Sequence, residues 1–442
     1  MTTALEQVRA RVASQKTLLP SLYGQIDFDR MPERFTEDPS QAIVQDRAPM
    51  GVAVTDYELD LVRAYTMLGD VVADAYAALM PTIPFRRLIE MLREACERGV
   101  EQVDGAPPEL VAFIRDMERT PDWVDMDLVR EGARLDLNAT ANVSPFAIRG
   151  AFIATFLNKY SALPMALTGT LSSETAARRV RETAHFFSCT VLPGALDRHG
   201  EGFMAAAMVR LMHSMVRVNV LRSGRWDASV YGVPIPQVDQ MPAGLIPIFL
   251  TAFRLIGEGR RTYTPAERAQ VELARYRCFL LGLPEDLLAD TPEGVVRMMT
   301  ARNTTLRNGF DDETCGSLIR ATLAAYLPPD RSLANLLFDQ VERRFAKLIF
   351  VKHFLGGDFS IAEKIGVPVG NVDMAIGMAI GLGIALHMKL YDLAESIPGV
   401  RDLATSLLVY RVKGLLGSYG RARFTTDATK YRPTGSEPAR AA

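Results

Sequence analysis

Ligand-type side chains are few in this 442-residue sequence, which has five histidines and four cysteines. Cys96, Cys189, Cys278 and Cys315 are widely spaced and form no C-x-x-C pair. That excludes a disulfide framework and a cysteine-ligated structural zinc, and it favours a reducing compartment. Charge of one sign is also missing: 50 Lys and Arg against 52 Asp and Glu leave a net charge of -2. No global basic field exists to hold nucleic acid. The longest apolar run, MAIGMAIGLGIAL at 374–386, has 13 residues, short of the roughly 20 that a helix needs to cross a bilayer. A buried core helix is expected there, with Gly377 and Gly381 one turn apart to admit a close neighbour. Membrane association is compatible with this run but not predicted. The charged start, MTTALEQVRARVASQK, contains no secretory-type apolar stretch, so a cytoplasmic protein is expected. H-E-x-x-H, G-x-S-x-G, G-x-G-x-x-G and the Walker loop are absent, which removes the usual support for hydrolase, dehydrogenase and kinase chemistry.

What the sequence does contain is helical periodicity. Across 56–80 the residues Leu59, Leu61, Val62, Tyr65, Leu68, Val71, Val72 and Tyr76 recur close to one face, predicting an amphipathic helix. Alternating β-branched runs are scarce, so the fold class is all-α. Pro81, Pro84, Pro107, Pro108, Pro121, Pro145, Pro164 and Pro193 cut the first half into helix-length segments, because proline breaks the hydrogen-bond ladder of a helix interior. Residues 25–49 are polar and punctuated by proline, predicting an irregular arm. From about Thr425 the tail lacks apolar periodicity. A softer boundary at 284–292 precedes a second helical region that runs to about Ala422.

Among the five histidines, His213 has the most distinctive neighbours. It lies in GFMAAAMVRLMHSMVRVNVL, which reads as one long helix over 202–221, with Arg210 at i-3 and Arg217 at i+4 on the same face. Two cations disfavour imidazolium, so the ring should stay neutral and keep a lone pair for a metal. A haem would offer iron to His213 and two propionates to the arginines, while Met204, Met208, Met212, Met215 and Val216 suit a porphyrin face. The plainer alternative is a core helix whose arginines pair with protein carboxylates. Upstream, LSSETAARRVRETAHFF at 171–187 reads as a second helix capped by Ser172 or Ser173. It places Arg179, Glu182 and Thr183 on one face, a set able to handle protons and a polarised oxygen. The same charges would also serve a solvated face. Glu182-x-x-His185 has di-iron spacing but no second copy elsewhere. A mononuclear non-haem site from His185, His199 and Glu201 or Asp197 is a further alternative.

Five blocks in order, TPDWVDMDLVREG, LTGTLSS, ARRVRETA, VRLMHSMVR and GRWDASVYGVPIPQVDQ, cover roughly 115–290. They resemble the catalytic domain of latex clearing proteins, shared with the mycophenolic-acid-pathway oxygenase. The resemblance implies a multi-helix bundle with a globin-like core around one haem b, a proximal ligand at His213, and a structural or propionate-anchoring role for Arg210 and Arg217. Arg179 and Thr183 match distal residues of that family. Between them Glu182 stands where those proteins have lysine, and 151–170 holds no acidic residue to match the family's catalytic glutamate. The expectation is therefore a haem oxygenase with dioxygen opposite His213, a substrate other than rubber that is apolar, unsaturated or lipid-like, and Glu182 as the substitute base. A non-catalytic haem-binding or redox-sensing protein is the alternative. The organisation expected is an arm at 1–55, the haem domain at 56–290, a helical C-terminal region at 291–424 on the same body, and a tail at 425–442.

Overall fold

A computed structural model describes residues 3–42, 52–169 and 172–419. Among them the chain is helical, with two isolated β-bridges and no sheet, so the all-α class is borne out. The first helices are α1 (Ala4–Leu18), α2 (Pro20–Tyr23), α3 (Asp56–Thr66), α4 (Val71–Ala77), α5 (Phe85–Arg98), α6 (Pro108–Glu118) and α7 (Met126–Asn142). The middle of the chain forms α8 (Ser144–Ala154), α9 (Lys159–Leu167), α10 (Ser173–Cys189), α11 (Glu201–Arg222), α12 (Ala228–Tyr231), α13 (Met241–Gly257) and α14 (Pro265–Leu280). The last are α15 (Pro292–Thr305), α16 (Ser317–Ala324), α17 (Leu333–Phe354), α18 (Phe359–Lys364), α19 (Asn371–Glu395) and α20 (Arg401–Tyr419). The expected tail at 425–442 and the last part of the expected arm, 43–49, lie outside the described residues.

Local chemistry explains many of these ends. Thr55 with Glu58 and Thr264 with Glu267 form reciprocal capping boxes at α3 and α14, and Ser172 accepts the Thr175 amide at α10. Proline begins α6, α14 and α15, where its missing N–H removes nothing from the helix. Pro164 does not divide the chain as expected but sits inside α9. The periodic stretch at 56–80 is likewise not one helix. It breaks after Thr66, because Asp70 takes an N-cap role and accepts the Ala73 amide at the start of α4. Gly69 at the break lies so near the Tyr23 hydroxyl that a β-carbon would collide with it.

The helices gather into two compact units that do not follow the expected linear partition. One combines Met1–Gly132 with Asp197–Gly309, the other Ala133–Leu196 with Phe310–Phe424. The reason is visible in the second unit's core, where Phe152, Phe156 and Val180 from the middle of the chain bury against Leu318, Ile319 and Phe350 from its later part. Gly150 lets α8 lie against the α17 backbone, since a β-carbon there would meet the Ala346 carbonyl. Beside it the buried Arg149 donates to Glu342 at 2.8 Å and to the Thr322 and Ala325 carbonyls. In the first unit the described part of the arm, residues 25–42, is irregular as expected, but it is fastened by bridges from Phe35 to Leu306 and from Ala42 to Arg307.

The 374–386 run is not the buried helix expected from its composition. It lies within α19, where Gly377 is the one buried residue. The two glycines do admit a neighbour: Gly377 faces Leu348 and Gly381 faces Phe345 of α17. Several of its other apolar side chains, Met378, Leu382, Leu386, Leu390 and Leu393 among them, are exposed.

Candidate functional site

In the first unit α11 carries Arg210, His213 and Arg217 on one face, as its spacing predicts. Both arginines are buried and paired with protein carboxylates. Arg210 donates from Nη2 to Asp70 at 2.9 Å and pairs with Asp116 at 2.7 Å, while its guanidinium stacks over Phe113 at 5.3 Å. Arg217 donates to Asp74 and to the carbonyls of Pro234 and Ile235, and Tyr23 donates its hydroxyl to the same Asp74. Gly282, at φ +87°, lies where a β-carbon would strike Arg210 and Asp70. This packing supports the structural role for the two arginines; propionate anchoring, one of the two roles expected of them, finds no support in it. It also revises the electrostatic argument for a neutral His213, since each cation beside the ring is matched by a carboxylate.

Titration in this cluster has a direction. Burial raises Asp74 to about 6, even though Arg217 pulls it down and Asp70 adds to the rise. Burial also works against ionised Asp70, yet Arg210 holds it below the ordinary carboxylate range. Because arginine stays charged, Asp74 is the titrating member.

His213 is half-buried, and its Nδ1 lies 3.0 Å from the side-chain amide of Gln240. The Gln240 side-chain nitrogen faces Nδ1 and donates to it; the flipped amide, with Oε1 accepting from Nδ1–H, is the arrangement that leaves the imidazole Nε2 lone pair for a metal. The segment that presents Gln240 is held at several points. Trp226 donates Nε1 to the Gly232 carbonyl at 2.7 Å, and Arg217 holds the next carbonyls. Between them Ile235 adopts φ 47°, a conformation that a β-branched residue rarely takes and that surrounding contacts must enforce.

In the second unit α10 brings Arg179 and Glu182 together. Both are buried at 7% exposure, and Arg179 donates to Glu182 Oε2 at 3.1 Å. Among the described residues Glu182 Oε1 makes no hydrogen bond, and it has the Arg178 Nε at 3.8 Å. A buried carboxylate oxygen left this way is uncommon in a folded protein. Thr183 follows, half-buried. The solvated-face alternative is overturned by this burial. His185 belongs to the second unit and His199 to the first, where His199 is exposed with Nδ1 3.0 Å from the Cys96 carbonyl. Among the described residues no three His, Cys, Asp or Glu side chains converge as metal ligands.

A haem fits what α11 offers. One imidazole with its second nitrogen engaged is the donor set for an iron whose other equatorial ligands come from the macrocycle. Sequence reasoning missed Asp70, Asp74, Asp116 and Gln240. The carboxylate spacing at 70 and 74 was open to reading, and Gln240 closes the last of the five blocks.

Comparison with known proteins agrees with this picture. The family model described as ER-bound oxygenase mpaB/B'/rubber oxygenase, catalytic domain, matches residues 138–350. A solved structure of latex clearing protein in the closed state shares the fold with a TM-score of 0.57 at 18% sequence identity, covering 86% of this chain and 95% of that one. No curated protein matches. The resemblance carried by the five blocks is thus borne out.

Proposed function

We propose that this chain, whose residues 138–350 carry the catalytic domain of the rubber-oxygenase family, is a haem b-dependent oxygenase. Its substrate is apolar, unsaturated or lipid-like, with dioxygen as co-substrate. The family match supports oxygenase chemistry on an apolar substrate; the observation that carries the haem reading is the His213 ring with Gln240 at its Nδ1. The bound haem would supply dioxygen activation and the redox chemistry. His213 would hold the iron through Nε2, and Gln240 fixes the tautomer and the plane of the ring. Arg179 orients Glu182 through Oε2, which leaves Oε1 to accept or return a proton. The Thr183 hydroxyl can donate to a polarised oxygen. A cytoplasmic setting belongs to the same proposal, and the four cysteines, all buried and none in a disulfide, accord with it.

Two measurements on protein from haem-replete expression test this reading. A Soret band in the wild type that disappears in His213→Ala is the expected result, together with oxygen consumption that depends on an apolar unsaturated substrate. Colourless wild type overturns the haem assignment. A Soret band without substrate-dependent oxygen uptake across a panel of such substrates overturns the enzyme.

A further inference from the structure

The irregular arm reaches the segment that ends at Gln240. Within the first unit the Glu33 and Arg34 amides donate to the carbonyls of Ser229 and Val230 at 3.1 and 2.9 Å, and the Arg34 carbonyl accepts the Arg307 amide at 2.7 Å. The Arg34 side chain continues along the same segment. It is buried, donates from Nη1 to the Tyr231 carbonyl at 3.3 Å, and reaches Asp239 Oδ1 from Nη2 at 3.5 Å. Arg302 of α15, also buried, donates from Nη2 to that same oxygen at 3.1 Å. Two guanidinium groups from separate parts of the sequence thus share one carboxylate oxygen.

Asp239 and Gln240 are the last two residues of a short 3₁₀ turn, Gln237–Gln240, whose first amide donates to the Leu68 carbonyl at 3.3 Å. A carboxylate held from two directions limits how far the next residue can move, and the side-chain amide of that residue lies 3.0 Å from His213 Nδ1. Arg217 fixes the segment before the turn, at the Pro234 and Ile235 carbonyls; Arg34 and Arg302 fix the turn itself. Hydrogen bonds between ionised partners are the stronger kind, and an imidazole ligand is oriented by the partner of its second nitrogen and by whatever holds that partner still. We propose that Arg34 and Arg302 are positioning residues for the His213 ring, acting through Asp239 and Gln240. Its bearing on oxygenase chemistry rests on His213 as the iron ligand; the positioning itself is a property of the chain alone.

Heteronuclear NMR of the full-length, haem-free protein with isotope-labelled histidine tests it. The His213 Nδ1 resonance is identified by its loss in His213→Ala, and Gln240→Leu marks its position without the amide contact. Arg34→Met and Arg302→Met each leave one arginine on Asp239, so both should fold, and each should move the resonance part of the way to the Gln240→Leu position. Asp239→Asn, which keeps an acceptor and loses the charge, should move it further. Arg302→Lys can still serve the one oxygen with an N–H and should keep the wild-type position. Arg275→Met removes a buried arginine of the same unit that serves Glu272 and the Leu288 carbonyl instead; it should lower the melting temperature and leave the resonance in place, as the other two methionine variants would if their role were merely structural. In haem-loaded protein the same ranking should appear in the iron–histidine stretching frequency. Arg34→Met and Arg302→Met resonances that both coincide with wild type overturn the proposal, and so does a Gln240→Leu resonance that coincides with it. Colourless wild type overturns the haem reading alone, because the resonance is read without haem.

Discussion

Replacing Arg217 by methionine separates the two roles that a buried arginine beside His213 could have. The substitution keeps an apolar side chain of similar reach and removes the charge and all five donors. Asp74, fully buried, then loses its ion pair and keeps the Tyr23 hydroxyl. Removing one partner of a buried pair costs about 3–5 kcal/mol, a large part of the roughly 5–15 kcal/mol that a folded protein has. The carbonyls of Pro234 and Ile235 lose their donor as well. Part of the loss is relieved by protonation, and its sign follows from linkage. Asp74 already stands raised, at about 6 with Arg217 present, and without the guanidinium its pKa rises further. Between the unfolded value of roughly 3.8 and the folded value, the native state holds a proton that the unfolded state has lost. Stability of Arg217→Met therefore falls as pH rises through that window, by at most about 1.4 kcal/mol per pH unit. The variant should be weakest near pH 8 and recover towards pH 5.

The double variant Arg217→Met/Asp74→Asn removes both charges and keeps an acceptor for Tyr23, so it should regain much of the stability and lose this pH dependence. Urea unfolding followed by circular dichroism from pH 5 to 8, with a haem titration of each variant in parallel, reads all of these effects. A single variant within 1 kcal/mol of wild type would refute the structural role. A stable double variant that binds haem as poorly as the single one would show that Arg217 acts on the cofactor directly.

Two further substitutions address the chemistry. Gln240→Leu should retain haem but shift the iron reduction potential and the iron–histidine stretching frequency, because the ring loses its Nδ1 partner; unchanged spectra would remove Gln240 from the site. Glu182→Gln should lower turnover by a factor of roughly 10²–10⁴ at unchanged haem content, and turnover equal to wild type would exclude Glu182 as the base.

Much of the local structure could be read from the residues, because the signals that made it are themselves local. Capping side chains and periodicity placed α10 and α11 within a residue or two of their observed ends. The 56–80 stretch misled for a related reason: its apolar face continues across the break, and the short signal Gly69-Asp70 outweighs the periodicity once Tyr23 packs against it. The partners of Arg210 and Arg217 were out of reach, since Asp70 and Asp74 lie 140 and 143 positions away and no pattern along the chain couples them. The apolar run at 374–386 failed differently. Composition reports that a segment is apolar but not how much of it a neighbour covers. Here α17 covers the stripe marked by Gly377 and Gly381 and leaves the opposite side bare.

The arginines bear on His213 through the protein's own contacts. Asp74 fixes Arg217; Arg217 holds the carbonyls on either side of the strained Ile235; and a few positions on, the same segment ends in Gln240 against the imidazole. A residue held at positive φ costs about 1–3 kcal/mol, so this segment should be the first part of the cluster to relax when its hydrogen bonds weaken. The ligand would then lose its orientation before the helices separate. Conservative changes at Asp74 or Arg217 should therefore register in the ligand field before they register in the melting curve.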